Sequence, residues 1–206
     1  MKYPKEKNGK EDVEEIKVIL IGDPGIGKTN LINTSVGLKF STLIAPTISP
    51  SYNARMVEIG DKKYRIDLWD TAGQEKYIKV TKLFFKGSGI IILVYDITNY
   101  KSFQSLENWY HMSEDIIESE HIYGVVGNKN DLYLDAKVSE KDAQNFAQSI
   151  KTKYKIVSAK EQPELFVDFL EELVKDYHKI NIKNRRKSVK LNKEKSVKKS
   201  KCMGCN

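Results

Sequence analysis

The segment from Gly22 to Thr29 has the residue types and the spacing of a phosphate-binding loop. It reads Gly-Asp-Pro-Gly-Ile-Gly-Lys-Thr and directly follows a β-branched run at 16–21. Glycines let backbone N–H groups turn toward an anion at the start of a helix. There Lys28 would reach the β and γ oxygens and the Thr29 hydroxyl would bind Mg²⁺. The pattern predicts a site for nucleotide phosphates, rather than a glycine-rich turn without a ligand, but does not say which nucleotide.

A second segment, Asn128-Lys129-Asn130-Asp131, indicates which base is bound. It follows an apolar run at 122–127 that we predict as a strand. The Asp131 carboxylate can accept hydrogen bonds from two N–H donors on a guanine edge, and adenine offers no such pair. Ser158-Ala159-Lys160, after a short predicted strand at 155–157, is the usual companion of this motif. The two segments together favour GTP over ATP.

The elements that must position these motifs alternate along the chain between about 16 and 180. Short β-branched runs are separated by amphipathic stretches, a pattern typical of a sheet with helices on both faces. Gly60-Asp61 joins two of the runs into a predicted hairpin, and Ser139 and Pro163 mark two predicted helix starts. The predicted strands are 16–21, 52–59, 63–69, 90–96, 122–127 and 155–157.

Charge divides the 206-residue chain into a body and a tail. Ten of the 35 Lys and Arg residues lie in 183–201, against the single acid Glu194, so that segment carries +9 and the rest of the chain −2 of the formal net charge of +7. Such a segment buries too little apolar surface to fold. We therefore expect a polar N-terminal extension at 1–15, a folded domain at 16–180 and a disordered polybasic tail at 181–206.

Composition also excludes several classes of protein. The longest uninterrupted apolar run, 90–95, has six residues, too few to span a bilayer, and the charged opening stretch does not resemble a secretory signal. We therefore expect a cytosolic chain. The only two cysteines, Cys202 and Cys205, lie in the tail, so the body has no disulfide framework or cysteine-based metal site.

Together, the motifs resemble those of the small GTPases of the Ras superfamily, over roughly residues 14–180. The resemblance implies an α/β, three-layer P-loop GTPase fold. Its six-stranded sheet is mostly parallel with one antiparallel edge strand, and helices cover both faces. The segment 70–75, Asp-Thr-Ala-Gly-Gln-Glu, matches the family's switch II motif, and Thr47 and Phe40 match its first switch region. The implied metal ligands are Thr29, Thr47 and Asp70, and the implied catalytic residues are Gln74, Lys28, Thr47 and Gly73.

The same resemblance implies how the nucleotide is held. Asp70 would hold Mg²⁺ through water, Gly73 would sense the γ-phosphate and Gln74 would orient the attacking water. Phe40 would lie against the guanine, Lys129 would pack along it, and the Ala159 amide would face its carbonyl oxygen. The residues implied to contact nucleotide are Gly25, Ile26, Gly27, Lys28, Thr29, Asn30, Phe40, Thr47, Gly73, Asn128, Lys129, Asp131, Ser158, Ala159 and Lys160.

Segments around the switches resemble the Rab branch in particular. These are 69–77, 83–87 and 93–99, and a C-terminal cysteine pair is also similar to Rab proteins. The resemblance implies an effector surface at Tyr52, Trp69 and Phe84, although these aromatics could simply line the hairpin and helix. Pro24, Pro50 and the two-residue spacing between Cys202 and Cys205 depart from the Rab pattern.

The implied partners follow from this assignment. They are an exchange factor, a GTPase-activating protein, effectors and a prenyl-binding chaperone, with a monomeric core. Prenylated Cys202 and Cys205 and the basic tail would attach the chain to an anionic cytoplasmic membrane, from which it would cycle with the cytosol. The alternatives for the tail are a nucleic-acid patch, which we disfavour, a solvated spacer, or a CxxC redox or zinc site.

The implied function is Mg²⁺-dependent GTP binding and slow hydrolysis to GDP, which switches effector binding in vesicle traffic. Between Phe40 and Thr47 the chain has no arginine that could act as a finger in cis. We therefore expect a turnover of about 10⁻⁴ to 10⁻³ s⁻¹ without an activating protein, by analogy with GTPases that lack such an arginine. Two alternatives remain open from the sequence: a GTP-dependent binding module with little hydrolysis, and a Ras-type signalling GTPase.

Overall fold

The structure, a computed structural model, describes residues 13–45, 47, 51–71 and 84–181. The six strands are β1 (Val13–Ile21), β2 (Ser51–Ile59), β3 (Lys62–Asp70), β4 (Ile90–Asp96), β5 (Ile122–Asn128) and β6 (Lys153–Ile156). The helices are α1 (Lys28–Ser35), α2 (Tyr100–Glu114), α3 (Glu140–Ser149) and α4 (163–181), with a 3₁₀ helix at Asn130–Asp135.

The strands form one sheet in the order β2-β3-β1-β4-β5-β6. β1 lies parallel to both β3 and β4, and β5 lies parallel to β4 and β6. Only β2 is antiparallel, because the turn at Gly60-Asp61 returns the chain directly along β3 at the edge of the sheet. The predicted fold class, a mostly parallel six-stranded sheet with one antiparallel edge strand, is confirmed.

Two apolar cores lie on opposite faces of the sheet, because successive residues of a buried strand point in opposite directions. In β1, Val18 and Leu20 join the core that contains residues of α1 and α4. Ile19 and Ile21 join the core that contains residues of α2 and α3. All seven residues of β4 are buried, as expected for a strand covered on both faces. The sheet therefore sits between two layers of helices.

Two strands differ from the prediction by more than one residue at a boundary. β1 begins at Val13 rather than 16, because Val13–Glu15 pair with Lys63–Arg65 of β3. β6 runs over Lys153–Ile156 rather than 155–157, because its pairing with Gly124–Gly127 of β5 sets the register. The first residues of β6 are partly exposed and lysine-rich, so no apolar pattern marks its start.

The helix starts agree with local sequence signals. The Ser139 hydroxyl accepts from the Asp142 backbone N–H at the start of α3, and the Asn99 side chain accepts from the Ser102 backbone N–H at the start of α2. These contacts satisfy N–H groups that have no partner inside a helix. Within the described ranges, no helix combines the length and apolar composition needed to cross a membrane.

Candidate nucleotide-binding site

The phosphate loop turns from the end of β1 into the start of α1. Gly22 and Gly27 adopt φ values of 143° and 95°, in a region that residues with a Cβ rarely occupy. A Cβ on Gly27 would lie 2.4 Å from the Asn128 side-chain nitrogen. Glycine is therefore required at this position for backbone conformation and because the loop approaches the end of β5 closely.

Lys28 is buried in this loop, with 5% of its surface exposed. Its ammonium donates to the backbone carbonyls of Gly22 and Asp23, each at 2.8 Å. Burial lowers the pKa of Lys28 to about 8, although the nearby carboxylates of Asp70 and Asp23 oppose this shift. The lysine is thus held by its own loop, at the base of the cavity where an anion would compensate for its burial.

Thr29, Thr47 and Asp70 bring three side-chain oxygens together at the mouth of the loop. The hydroxyl of Thr29 donates to Asp70 Oδ2 at 2.8 Å, that of Thr47 donates to the same oxygen at 3.1 Å, and the two hydroxyls are 3.2 Å apart. Burial raises the pKa of Asp70, and its Oδ1 is buried without a hydrogen-bond partner among the described residues. Hard oxygens around one carboxylate with an unsatisfied atom fit Mg²⁺, which usually takes one or two carboxylates plus phosphate oxygens.

Asn128 and Lys129 join the end of β5 to the phosphate loop. Asn128 Nδ2 donates to the Ile26 carbonyl at 2.9 Å, and its Oδ1 accepts from the Ala159 backbone N–H at 3.2 Å. The Lys129 ammonium donates to the Gly25 carbonyl at 2.9 Å and lies 2.7 Å from Asp96 Oδ2. The residues at the end of β5 therefore hold the phosphate loop in position through its backbone carbonyls.

Asp131 is held in place by the Ser158-Ala159-Lys160 segment. The Ser158 hydroxyl donates to Asp131 Oδ1 at 2.6 Å, and the Lys160 ammonium lies 3.8 Å from Oδ2. Ser158 Oγ in turn accepts from the backbone N–H groups of Lys160 and Glu161. These contacts fix the direction of the carboxylate, and Asp131 is also among the residues that line a cavity.

A cavity of about 740 Å³ connects the two motifs, and Phe40 and Thr47 also line it. The Asn30 side chain shapes its wall: Nδ2 donates to the Ser41 backbone carbonyl at 2.8 Å, and Oδ1 accepts from the Ser41 backbone N–H at 3.1 Å. The predicted site residues that line the cavity are Gly25, Gly27, Lys28, Thr29, Asn30, Phe40, Thr47, Asn128, Lys129, Asp131, Ala159 and Lys160. Three more predicted site residues of the described ranges do not line the cavity but form hydrogen bonds to residues that do. They are Ile26, Asp70 and Ser158.

Four predicted functional residues lie outside the described residues: Gly73, Gln74, Cys202 and Cys205. Sequence reasoning missed other residues at the site. Thr71 and Leu132 line the cavity, and Asp96 pairs with Lys129. Thr71 lies inside the 70–75 motif and could have been found from its position there, whereas no site motif marks Leu132 or Asp96.

The three aromatics predicted as an effector surface are in contact. The Trp69 ring centroid lies 5.6 Å from that of Tyr52 and 5.6 Å from that of Phe84. The Lys17 ammonium lies 4.8 Å from the Trp69 ring centroid, and 47% of the Tyr52 surface is exposed. Large aromatics held side by side at the surface are typical of protein-binding sites, and their role here stays a prediction.

A phosphate loop after β1 and a base-reading motif after β5 open into one cavity on a mostly parallel sheet. These features define the class of P-loop nucleotide-binding proteins. The profile of the Ras family matches residues 17–179, and the chain belongs to this family.

Similar proteins indicate the branch of the Ras family to which the chain belongs. The chain is 38% identical to Ras-related protein RabC of Dictyostelium discoideum, over 72% of this chain and 78% of that protein. It is 39% identical to Ras-related protein Rab-7a of Paramecium octaurelia, over 65% and 66%. It is 34% identical to human Ras-related protein Rab-21, over 77% and 72%. The protein is a Rab-like small GTPase, an enzyme that binds guanine nucleotide and hydrolyses GTP, and the branch works in intracellular membrane traffic. A Ras-type signalling role and a GTP-dependent binding module with little hydrolysis are not favoured.

Proposed function

We propose that GTP lies in the 740 Å³ cavity with its phosphates against the phosphate loop and its guanine against Asp131. The observation that carries this proposal is that residues of both motifs line one continuous cavity. The buried Lys28 ammonium supports the phosphate end, since an anion would offset its burial. Asp131, oriented by Ser158 and Lys160, supports the guanine end.

Mg²⁺ in this proposal is bound by Thr29 and Thr47, with Asp70 behind them. The unpartnered Oδ1 of Asp70 and the convergence of two hydroxyls on Oδ2 support this assignment. The ion would neutralise charge on the β- and γ-phosphates. Thr29 is fixed by α1 and Asp70 by β3, whereas Thr47 lies on the connection between α1 and β2. The Thr47 segment is therefore the one that we expect to respond when the γ-phosphate is lost.

Hydrolysis depends on residues outside the described ranges. We infer that Gln74 orients the attacking water and that the Gly73 amide contacts the γ-phosphate. We also infer that an activating protein supplies the positive charge that an arginine between Phe40 and Thr47 would otherwise provide. Single-turnover hydrolysis by the full chain tests this, with Gln74→Leu as the variant. We expect slow turnover that Gln74→Leu reduces at least tenfold further. An unchanged rate would contradict the role proposed for Gln74.

The switching segments lead to the aromatic surface. Thr47 lies just before β2, which carries Tyr52, and Asp70 directly follows Trp69 in β3. A change at the γ-phosphate can therefore reach Tyr52 through the connection that leads from Thr47 into β2, and Trp69 through its neighbour Asp70 in β3. We propose that effectors bind Tyr52, Trp69 and Phe84 in the GTP state, and that an exchange factor and an activating protein act on the flanking switches.

The tail is proposed as the membrane anchor of the 16–180 GTPase domain. Two prenyl chains on Cys202 and Cys205 would give lasting attachment, and the basic residues of 183–201 would add attraction to an anionic cytoplasmic leaflet. A chaperone that covers the lipid would let the protein cycle with the cytosol. The Cys202→Ser/Cys205→Ser variant should move from the membrane to the soluble fraction while it still binds GTP. Retention on membranes without both thiols would contradict this anchor.

A further inference from the structure

A tryptophan outside the cavity contacts the phosphate loop directly. Trp109, on α2, donates its indole N–H to the carboxylate oxygen Oδ1 of Asp23 at 2.9 Å. The two residues are 86 positions apart in the sequence, and neither lines the cavity. Trp109 is 8% exposed and belongs to the core that covers one face of the sheet. This contact connects the body of the fold to the loop.

Asp23 is one of the two residues whose backbone carbonyls hold the Lys28 ammonium. Its backbone carbonyl accepts from the Lys28 ammonium at 2.8 Å, beside the equivalent bond from Lys28 to the Gly22 carbonyl. The next residue, Pro24, fixes its own φ and restricts the backbone of the residue before it. Trp109 holds the Asp23 side chain, and Pro24 restricts the Asp23 backbone. Together they limit the directions that the Asp23 carbonyl, which accepts from Lys28, can take.

We propose that Trp109 is a positioning residue for nucleotide binding: its indole N–H holds Asp23 and thereby keeps the phosphate loop in the shape that receives phosphates. This inference rests on the proposed location of the phosphates. Preorganisation of a loop increases affinity because less ordering is needed on binding. Without the Trp109–Asp23 hydrogen bond, the phosphate loop adopts other conformations and the nucleotide dissociates faster.

The test is the release rate of a fluorescent GDP analogue from the full-length protein, chased with excess GDP in Mg²⁺ buffer. We expect Trp109→Phe, which removes the donor and keeps an aromatic ring, to speed release about three- to tenfold. Asp23→Ala should have a similar effect, and the double variant should be no faster than either single variant. Asp23→Asn keeps an acceptor without the charge and should restore most of the slow release.

The matched control is Tyr110→Phe on the same helix, because the Tyr110 ring packs against Tyr123 and His111 and not against the loop. It should leave release unchanged. If Trp109→Phe and Asp23→Ala lower thermal stability but release nucleotide at the wild-type rate, the contact only satisfies a buried indole and the proposal is wrong. Failure of the wild-type protein to bind GDP at all would instead contradict the proposed function.

A spectroscopic readout separates positioning from packing. The chain has two tryptophans, so an NMR spectrum of indole N–H groups contains two signals. The signal lost in Trp109→Phe should shift when the Mg²⁺-GDP form is converted to the nucleotide-free form, although Trp109 does not line the cavity. That signal should be displaced in Asp23→Ala. A Trp109 signal whose position is the same without nucleotide and in Asp23→Ala would overturn the proposal.

Discussion

In the proposed mode of binding, guanine selectivity depends on one carboxylate, that of Asp131, whose position is already fixed by its neighbours. Asp131 accepts from Ser158 on one oxygen, and Lys160 lies near the other. A carboxylate held in this way presents acceptors only, so it suits a base edge that presents two donors and repels one that presents an acceptor. The cost of a mismatched base is an unpaired buried polar group, which makes the discrimination large.

This leads to a prediction on base choice. Asp131→Asn replaces one acceptor by a donor, so we expect GTP affinity to fall at least about 100-fold, from the loss of hydrogen bonds to a charged group. Xanthosine triphosphate, which has a carbonyl where guanine has its amino group, should bind the variant better than GTP. Titration calorimetry measures both affinities. Asp135→Asn, an exposed residue of the same 3₁₀ helix, is the control and should bind GTP normally.

A second residue-scale prediction concerns the metal. Chelation of Mg²⁺ should speed GDP release by the wild-type chain at least tenfold, because the ion neutralises phosphate charge near Asp70. Thr29→Val removes one ligand hydroxyl and keeps the side-chain shape, so its release should be fast with or without chelator. Thr34→Val removes a hydroxyl that bonds the Asn30 backbone on the same helix, and it should stay sensitive to chelation. Equal release from the wild type with and without Mg²⁺ would contradict the assignment.

At the scale of elements, the site depends on strands whose carboxyl ends meet at one edge of the sheet. β1 leads into the phosphate loop, β3 ends at Asp70, and β5 ends at Asn128. Parallel pairing of β1 with β3 and β4, and of β4 with β5, places these three ends at the same edge of the sheet, with β4 between β1 and β5. Helix α4 supports β5 from one face at a point of close approach. A Cβ on Gly124 would lie 2.6 Å from Leu173 Cδ1.

The close approach predicts a coupled stability effect. Gly124→Ala should reduce the free energy of unfolding by about 1–3 kcal/mol, since the added methyl group overlaps Leu173. Leu173→Ala should cost about 2–5 kcal/mol alone, because it leaves a cavity in a fully buried position. The double variant should lose at least about 0.5 kcal/mol less than the sum. Chemical denaturation of the four proteins gives the cycle, and strict additivity would show that the two positions do not touch.

Much of the fold could be predicted from the sequence because its signals are local. The apolar run of β4 and the turn at Gly60-Asp61 identify a buried strand and a hairpin from a few residues each. The phosphate loop and Asn128–Asp131 could likewise be found from spacing alone. β6 was misplaced because its register comes from pairing with β5, not from its own lysine-rich sequence. The Trp109–Asp23 contact joins distant positions through the packing of α2, and no local pattern indicates it.

At the scale of the whole molecule, the net positive charge and the proposed nucleotide site lie in different parts of the sequence. The net positive charge is concentrated in 183–201, while the body, which carries the cavity, is nearly neutral. A nucleotide that fills this cavity contacts loops after β1 and β5 together, so it should stabilise the whole domain and not one loop. We expect Mg²⁺-GDP at 100 times its dissociation constant to add about 2.7 kcal/mol to the free energy of unfolding. Denaturant titration with and without GDP measures this gain, and an unchanged midpoint would contradict it.

The most direct test of the account is calorimetric titration of the nucleotide-free, full-length chain with GDP, GTP and ATP in the presence of Mg²⁺. We predict one binding site per chain, submicromolar affinity for both guanine nucleotides and at least 100-fold weaker binding of ATP. Binding of neither guanine nucleotide, or a preference for ATP, would contradict the central claim that the cavity between the phosphate loop and Asp131 is a guanine-nucleotide site.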